Sequence, residues 1–207
     1  MSEETTLDAD LIPSELETPR LRIRKLTSDV VDPDVIYEYL GNSESIQQET
    51  KYLLWDPLES VAEAEGFLEN CDDAWDAGHR ATYYMQRKDG PSSLRENFLG
   101  MCSLTLDREP NTAQPGVYLR KQYWGEGYAM ERVTALLELA FETLSFGYVE
   151  AVCLDGNDRA RSHVEQYVEK YGGDYAGVKE DYIADGTGEN RDCHSYQISA
   201  EQYRKSR

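Results

Sequence analysis

The chain has 207 residues, of which 40% are apolar, and its 40 acidic residues against 21 basic ones give a formal charge of −19. This length fits one domain with a proper core, and the apolar runs are far too short to cross a bilayer. The acidic excess argues against nucleic acid and against an anionic membrane as partners, because both require a basic face.

The amino-terminal residues and the cysteines indicate a cytoplasmic protein. Met1-Ser2-Glu3-Glu4 lacks the basic-then-apolar pattern of a signal peptide. The Cys residues are widely spaced and include no CxxC pair, which predicts reduced, mostly buried thiols and no metal site. They are Cys71, Cys102, Cys153 and Cys193.

The acidic residues are spread along the whole chain, and 14 of the 21 basic residues are Arg. An acid-rich, Lys-poor surface is typical of proteins from a salt-loaded cytoplasm, so we expect a halophilic source. Attraction of cationic amine substrates is a second use of the same surface, compatible with the first.

The first forty residues predict a leader, a strand and a helix. Residues 1–16 are polar and acidic with little periodicity, which predicts a flexible acidic leader before a single domain over residues 17–207. Leu21-Arg22-Ile23-Arg24 alternates apolar and charged residues, as a strand does. Asp32-Pro33 predicts the N-cap and first position of a helix that runs through Leu40.

A second helix and a three-stranded meander follow. Asp56-Pro57-Leu58-Glu59 predicts a helix start, and Gly78 a plausible end. Apolar runs at residues 81–86 and 98–106 predict two strands joined by a polar hairpin, and residues 116–120 predict a third.

The remaining residues predict two more helices and three strands. Apolar residues at spacings of 3, 1, 3, 1 and 3 from Val133 to Leu144 predict one buried stripe of a long helix, which Gly147 ends. The elements after it are the strand Tyr148–Leu154, a helix from Asp158 with Val164, Tyr167, Val168 and Tyr171 on one face, the strand 174–179, the turn Asp185-Gly186-Thr187-Gly188 and the strand 194–199. This order predicts a mixed α/β sheet with helices on both faces.

The motif that indicates chemistry lies between the third meander strand and the long helix. Gly125 and Gly127 allow a sharp bend with no Cβ in the way, and the helix adds unpaired N–H groups and the positive end of its dipole. Together these features predict a diphosphate pocket, although two glycines alone favour a simple tight turn. Met130 occupies the place of the third Rossmann glycine, and no Gly-Lys-Ser/Thr follows to form a P-loop.

The context makes the motif more specific. Gln122-x-x-Gly125-x-Gly127-x-Ala129, after an apolar strand and before a long helix, resembles the Q/R-x-x-G-x-G/A motif of GNAT acetyltransferases. The string Tyr123-Trp124-Gly125-Glu126-Gly127-Tyr128-Ala129-Met130-Glu131, together with Thr18-Pro19-Arg20-Leu21 and Phe98-Leu99-Gly100, is similar to the branch that acetylates ribosomal-protein N-termini. The resemblance extends over almost the whole chain. It implies a mostly antiparallel sheet with a central splay between two parallel strands.

The resemblance also implies an activity and a set of binding residues. Acetyl-CoA would be the co-substrate, without a metal, and a neutral primary amine would attack its thioester directly. Strand amides would stabilise the oxyanion, and an acid would protonate the leaving thiolate. The implied cofactor-binding residues are Val117, Tyr118, Leu119, Gln122, Tyr123, Trp124, Gly125, Glu126, Gly127, Tyr128, Ala129 and Asn157.

The catalytic residues are less well defined. Asn157 matches the family's pantetheine-contacting Asn, with a helix cap as the alternative, and Ala160 stands where the branch commonly has a Ser. Tyr167 is the candidate general acid, with a core residue carrying a tethered hydroxyl as the alternative. The acids available as a general base are Asp107, Glu109 and Glu49.

Other functions remain open at this stage. A non-catalytic acyl-CoA-binding or sensor domain of the same fold is one alternative, and an acidic interaction protein without a ligand is another. The amine acceptor would be a protein N-terminus or a small amine, and analogy to the branch admits a homodimer. Acceptor specificity in this fold lies in segments that here are residues 35–48, 57–76 and 181–192.

Overall fold

The computed structural model describes residues 7–184 and 190–207, and the strands in this part of the chain form one eight-stranded sheet. The strand order is β1-β2-β3-β4-β5-β6-β8-β7, and every neighbouring pair is antiparallel except β5 and β6, which are parallel. The strands are β1 (Glu15–Glu17), β2 (Leu21–Lys25), β3 (Arg80–Arg87), β4 (Gly100–Asp107), β5 (Thr112–Leu119), β6 (Tyr148–Leu154), β7 (Asp174–Ala184) and β8 (Asn190–Ser199).

Helices cover both faces of the sheet, so the predicted fold class is confirmed. The helices are α1 (Pro33–Leu40), α2 (Ile46–Glu49), α3 (Val61–Asp76), α4 (Leu94–Asn97), α5 (Tyr128–Glu138), α6 (Asp158–Lys170) and α7 (Ala200–Lys205). One core packs mainly under α5, α6 and α7, and the other packs under α1 and α3. Tyr83 and Tyr84 enter different cores because successive strand residues point to opposite faces.

The start of α1 is as predicted, whereas the start of α3 is four residues later than predicted. Asp32 caps α1 by accepting a hydrogen bond from the Asp34 N–H (2.9 Å). The prediction that a helix begins at Pro57 is wrong, because Ser60 is the cap and accepts from the Glu63 N–H (3.2 Å). The Leu58 N–H instead donates to the Leu40 carbonyl (3.0 Å), which ties this segment to α1.

The long helix ends earlier than predicted. After α5 the chain forms a π-helical turn (Leu139–Thr143), in which the Leu144 N–H donates to the Leu139 carbonyl (2.9 Å). Ser145 then takes a left-handed conformation (φ 58°), so the helix stops before Gly147. The wider turn keeps the residues of this segment in the core after the α-helical stripe has ended.

The amino-terminal segment is more ordered than the expected leader. Residues 1–6 lie outside the described residues, as does the predicted turn Asp185-Gly186-Thr187-Gly188. Leu7 and Ile12 are buried in the larger core, and β1 pairs with β2. A Cβ at Gly78 would lie 2.1 Å from the Leu7 carbonyl oxygen, so this glycine admits the segment against α3.

The parallel strands β5 and β6 separate almost as soon as they pair. Their register contains only Thr112 with Tyr148 and Ala113 with Val149, although β5 continues to Leu119 and β6 to Leu154. Pro115 faces the same side as Ala113 and has no N–H to donate to β6, which contributes to the end of the ladder. We call the divergence of residues 116–119 from residues 151–154 the splay.

Candidate active site

The edge of β5 that faces the splay offers unpaired backbone groups. The Arg120 N–H donates to the Leu99 carbonyl beside β4 (2.9 Å), and alternate strand residues direct their backbone groups to opposite sides. Val117 and Leu119 therefore face the splay, whereas Tyr118 faces β4. The Leu119 carbonyl already accepts from Trp124 Nε1 (2.7 Å). Val117 is left as the open position on this edge, ready for an extended ligand to add to the sheet.

The loop after β5 presents a run of free N–H groups. We call residues 122–127 the glycine loop; Gly125 (φ 84°) and Gly127 (φ 81°) both take left-handed conformations in it. The first intrahelical bond of α5 runs from the Glu131 N–H to the Gly127 carbonyl (3.1 Å). Among the described residues, the N–H groups of residues 125–130 have no hydrogen-bond acceptor. A Cβ at Gly125 would meet no atom within 4 Å, so open space lies beside these donors.

A cluster of polar contacts fixes the start of α5. Glu131 accepts hydrogen bonds from the Thr18 hydroxyl (2.5 Å), the Arg20 N–H (2.7 Å) and Arg20 Nε (2.6 Å). Arg20 Nη1 donates to the Glu126 carbonyl (3.0 Å), and its guanidinium lies 4.4 Å from the Tyr128 ring centroid. Burial raises the pKa of Glu131, but these donors outweigh it and hold that pKa below its ordinary value. The glycine loop is therefore joined to the start of β2.

The amino terminus of α6 forms the other side of the loop. Asn157 caps α6 through Oδ1, which accepts from the Ala160 N–H (3.2 Å). Its Nδ2 has no acceptor in the described part of the chain and remains available to a ligand. Arg159 lies with its guanidinium 3.8 Å from the Trp124 ring centroid, so a cation lies beside the glycine loop in this acidic protein.

The other predicted binding residues of the loop are accessible to different degrees. Gln122 is exposed, and its side chain bonds to no described residue. The Tyr123 ring packs edge-on against Tyr128 with centroids 6.2 Å apart. Glu126 is exposed, and Ala129 lies half-buried in the first turn of α5.

Tyr167 lies in the core with a hydroxyl that has no described hydrogen-bond partner. The residue is 2% exposed and packs among the apolar residues of α6, as its core alternative predicts. Its ring lies edge-on to His163, with centroids 5.3 Å apart. Burial raises the pKa of Tyr167, while the charge of Arg132 acts to lower it. The Tyr167 side chain is buried, but its hydroxyl oxygen is not among the fully buried atoms that lack a partner, so the hydroxyl reaches accessible space and is free to serve a ligand.

Of the three candidate bases, only Glu49 lies against the loop. Glu49 is buried and accepts from the Lys121 N–H (2.6 Å) and from the Ser45 hydroxyl (2.6 Å). Its other oxygen accepts from the Tyr118 hydroxyl (2.7 Å). Burial, together with this bond, raises the pKa of Tyr118. Glu49 therefore anchors the segment that leads into the glycine loop.

Asp107 and Glu109 lie at the far end of the β4–β5 hairpin. Asp107 Oδ1 accepts the Glu109 N–H (3.0 Å).

Several acids of the predicted acceptor segments are already paired. Glu38 bonds Arg95, Asp72 accepts from the Ser28 N–H and hydroxyl, and Asp76 lies 3.7 Å from Lys25. Because these acids already have partners within the protein, they are less available to a cationic amine.

Two residues near the site escaped the sequence analysis, Arg159 and Arg132, whereas His163 is an isolated histidine in the sequence and is expected there to be structural or at the surface. Arg159 follows Asn157 by two residues, and that spacing was the one available signal. Arg132 on α5 lies close enough to His163 on α6 for its charge to help lower the pKa of that imidazole. Only the folded chain reveals that pair.

All four thiols are buried and free of disulfides, as predicted. Burial raises the pKa of Cys71 to about 11 and that of Cys102 to about 12, so both stay protonated at neutral pH.

Within residues 7–184 and 190–207 no group of three His, Cys, Asp or Glu side chains could hold a metal ion. None of the helices in the same ranges has the length and apolar character that crossing a membrane requires.

A splayed parallel pair, an open strand edge and a glycine loop rich in N–H donors define a protein class that binds an extended cofactor with a diphosphate. Comparison with known families agrees: residues 20–167 match the acetyltransferase (GNAT) domain. The chain belongs to this family and is an acetyl-CoA-dependent acyltransferase.

Similar proteins include the uncharacterized N-acetyltransferase p20 of Bacillus licheniformis, which is 28% identical over 66% of this chain and 71% of its own. Among solved structures, the microcin C7 self-immunity acetyltransferase MccE, in complex with acetyl-CoA and AMP, superposes with a TM-score of 0.75 at 15% identity over 93% of this chain and 99% of its own. A protein from Vibrio cholerae, provisionally named a ribosomal-protein-serine acetyltransferase, gives 0.71 at 20% identity over 89% and 97%.

Proposed function

We propose that the chain is an N-acetyltransferase that moves the acetyl group of acetyl-CoA to a primary amine, either a protein N-terminus or a small amine. The observation that carries this proposal is the run of unpartnered N–H groups at residues 125–130, next to the open backbone of Val117. Buried or ligand-facing backbone donors normally have acceptors, and an anion at a helix amino terminus supplies them.

Each part of the cofactor has its own set of proposed binding residues. The amides of the glycine loop and the first turn of α5 bind the diphosphate, and the dipole of α5 adds to that attraction. Arg159 contributes a positive charge at the same place. Val117 and the Leu119 N–H bind the pantetheine arm as an added strand would, with Asn157 Nδ2 as a further donor from α6. Tyr118 takes no direct part, because its backbone faces β4 and its side chain holds Glu49.

Tyr167 supplies the proton that the departing sulfur needs. Its hydroxyl has no partner among the described residues, and α6, which carries it, packs against β6, one of the two strands of the splay. A buried neutral phenol is a competent proton donor when the group it serves becomes strongly basic. The unpartnered hydroxyl favours catalysis over the alternative of a non-catalytic acyl-CoA sensor, which the Ala160 substitution otherwise motivates.

The acceptor is proposed as a class. The sequence resemblance and the Vibrio cholerae neighbour support a protein N-terminus, whereas the MccE complex shows that a closely similar fold is compatible with AMP. Exposed acids of the acceptor segments that form no ion pair with another described residue, such as Glu44 and Asp73, are available to a cationic amine. We further propose a cytoplasmic protein of halophilic origin, without nucleic acid or membrane as partners, and a homodimer by analogy to the branch.

The test is an acetylation assay that follows free thiol release from acetyl-CoA. A panel of N-terminal Ser, Ala and Thr peptides and of polyamines should include an acceptor that depends on enzyme and is blocked by prior acetylation of its amine. Binding of acetyl-CoA with no turnover on any amine would favour the sensor. Tyr167→Phe should bind acetyl-CoA normally in either case.

A further inference from the structure

Arg132 is a buried cation that has no carboxylate partner among the described residues. It lies in the second turn of α5 and is 3% exposed. Its one hydrogen bond within the described residues runs from Nη1 to the Gly116 carbonyl (3.1 Å), and its Nε is buried without an acceptor. Buried arginines are normally paired with an acid, and this chain has 40 acids to choose from.

The groups that face Arg132 from each neighbouring element are neutral at physiological pH. Cys102 faces it from β4, and burial raises the pKa of that thiol to about 12. His163 and Tyr167 face it from α6; burial and the charge of Arg132 lower the pKa of His163 to about 4. His163 Nε2 is also buried without a partner. Arg132 is thus the one charge in a group whose polar atoms are incompletely satisfied.

A structural role explains this arrangement poorly. A single hydrogen bond to a neutral carbonyl compensates little of the cost of removing a guanidinium from water. An apolar side chain of similar size would fill the same space without that cost. Buried polar groups that lack hydrogen-bond partners are typical of sites where a ligand binds or reacts.

The position of Gly116 shows which part of a ligand Arg132 would meet. Gly116 directly precedes Val117, the open position of β5; its own backbone groups face β4, as those of Tyr118 do, so Arg132 contacts its carbonyl one residue away from the open edge. On the proposed binding mode, the cofactor arm leaves the glycine loop and passes Leu119 and then Val117. Its thioester end therefore lies next to Gly116, the residue whose carbonyl Arg132 contacts.

We propose that Arg132 stabilises the negative charge that develops on the coenzyme sulfur when the amine displaces it. This inference rests on the proposed function. The amine nitrogen forms a bond to the thioester carbonyl carbon, the C–S bond breaks, and its electron pair leaves on the sulfur. The surplus proton of the nitrogen passes to water, and the sulfur takes a proton from the Tyr167 hydroxyl, which solvent then restores. Arg132 acts before that proton arrives, when the sulfur carries its charge.

The test compares CoA, which has the free thiol, with desulfo-CoA, which lacks the sulfur, by calorimetric titration from pH 7 to pH 9.5. A cation beside the sulfur favours the thiolate, so the affinity for CoA relative to desulfo-CoA should rise with pH, by about tenfold across the range. Arg132→Met should remove this rise, and Arg132→Lys should keep part of it. Arg132→Met should also lower kcat while leaving the acetyl-CoA KM near its wild-type value.

Each outcome has a distinct meaning. A constant CoA to desulfo-CoA ratio in the wild-type protein overturns the inference, even if Arg132→Met fails to fold. A rise that persists in folded Arg132→Met assigns the effect to another group and overturns it too. If neither ligand binds, the proposed cofactor site fails, and the inference fails with it. Thermal unfolding checks the variants, and a strong loss of stability in Arg132→Met with unchanged kcat would return Arg132 to a structural role.

Discussion

Replacing Gly125 by Ala tests the glycine loop with the smallest change of side chain. The residue has φ 84°, and a Cβ there would meet no atom of the protein within 4 Å. Packing is therefore unaffected, and the substitution acts through the backbone and through the space beside it. A left-handed conformation costs a residue with a Cβ about 1–2 kcal/mol.

That cost predicts two measurable effects. If the loop keeps its shape, the free energy of unfolding falls by about 1–2 kcal/mol, which lowers the Tm by about 2–8 °C for a domain of this size. If the loop relaxes instead, the same energy is required when the cofactor binds, and the acetyl-CoA affinity falls by about 5- to 30-fold. The Cβ also enters the space proposed for the diphosphate, so we expect a loss of about 30-fold or more.

Two further variants serve as a control and as a stronger perturbation of the same loop. Gly66→Ala adds a methyl group at an exposed position inside α3, where nothing lies within 4 Å, and should raise stability by about 0.5–1 kcal/mol without changing the affinity. Gly125→Pro removes an N–H donor and fixes a negative φ, so it should abolish binding while the protein stays folded. Calorimetric titration and thermal unfolding measure both quantities. Wild-type affinity in Gly125→Ala, with Gly66→Ala also unchanged, would refute the diphosphate assignment.

Three other substitutions test neighbouring parts of the account. Glu131→Gln should lower stability by about 2 kcal/mol at pH 7 through its weakened bonds to Thr18 and Arg20. The folded pKa of Glu131 lies below its ordinary 4.5, so the carboxylate's contribution to stability is present above pH 4.5 and is lost as the pH falls through the folded pKa. The stabilities of wild type and Glu131→Gln should therefore become equal in acid, and a stability difference that stays constant with pH would contradict this. Tyr167→Phe should lower kcat by about 10- to 100-fold with unchanged acetyl-CoA affinity, and full activity would leave Tyr167 a core residue. Arg159→Ala should weaken acetyl-CoA binding several-fold, more at low salt than at high salt, and an effect independent of salt would argue against a role for its charge.

Local signals predicted the elements that local interactions determine. The Asp32 cap and Pro33 define the start of α1 within the chain segment itself, and the bounds of β6 match the predicted Tyr148–Leu154. The predicted start at Pro57 failed because Ser60 offered a competing cap close by. Short elements such as α2, α4 and α7 have too few residues for a periodic signal.

The candidate site could be predicted only in part. The glycine loop has a sequence pattern, and the structure shows its free N–H groups where that pattern lies. The limits of the splay depend on where the pairing of β5 with β6 ends, just before Pro115, and that pairing joins distant segments of the chain. Arg132 adjoins the apolar stripe of α5, and its charge alone predicts exposure. Its burial results from the meeting of α5, α6 and the sheet, which no single segment encodes.

Titration of the purified protein with acetyl-CoA by calorimetry, in molar KCl and again in low salt, tests the central claim most directly. The account predicts one-to-one binding in the micromolar range, with the unpartnered N–H groups of residues 125–130 as the main contacts. Absence of binding in both buffers, with the protein shown to be folded, would contradict it.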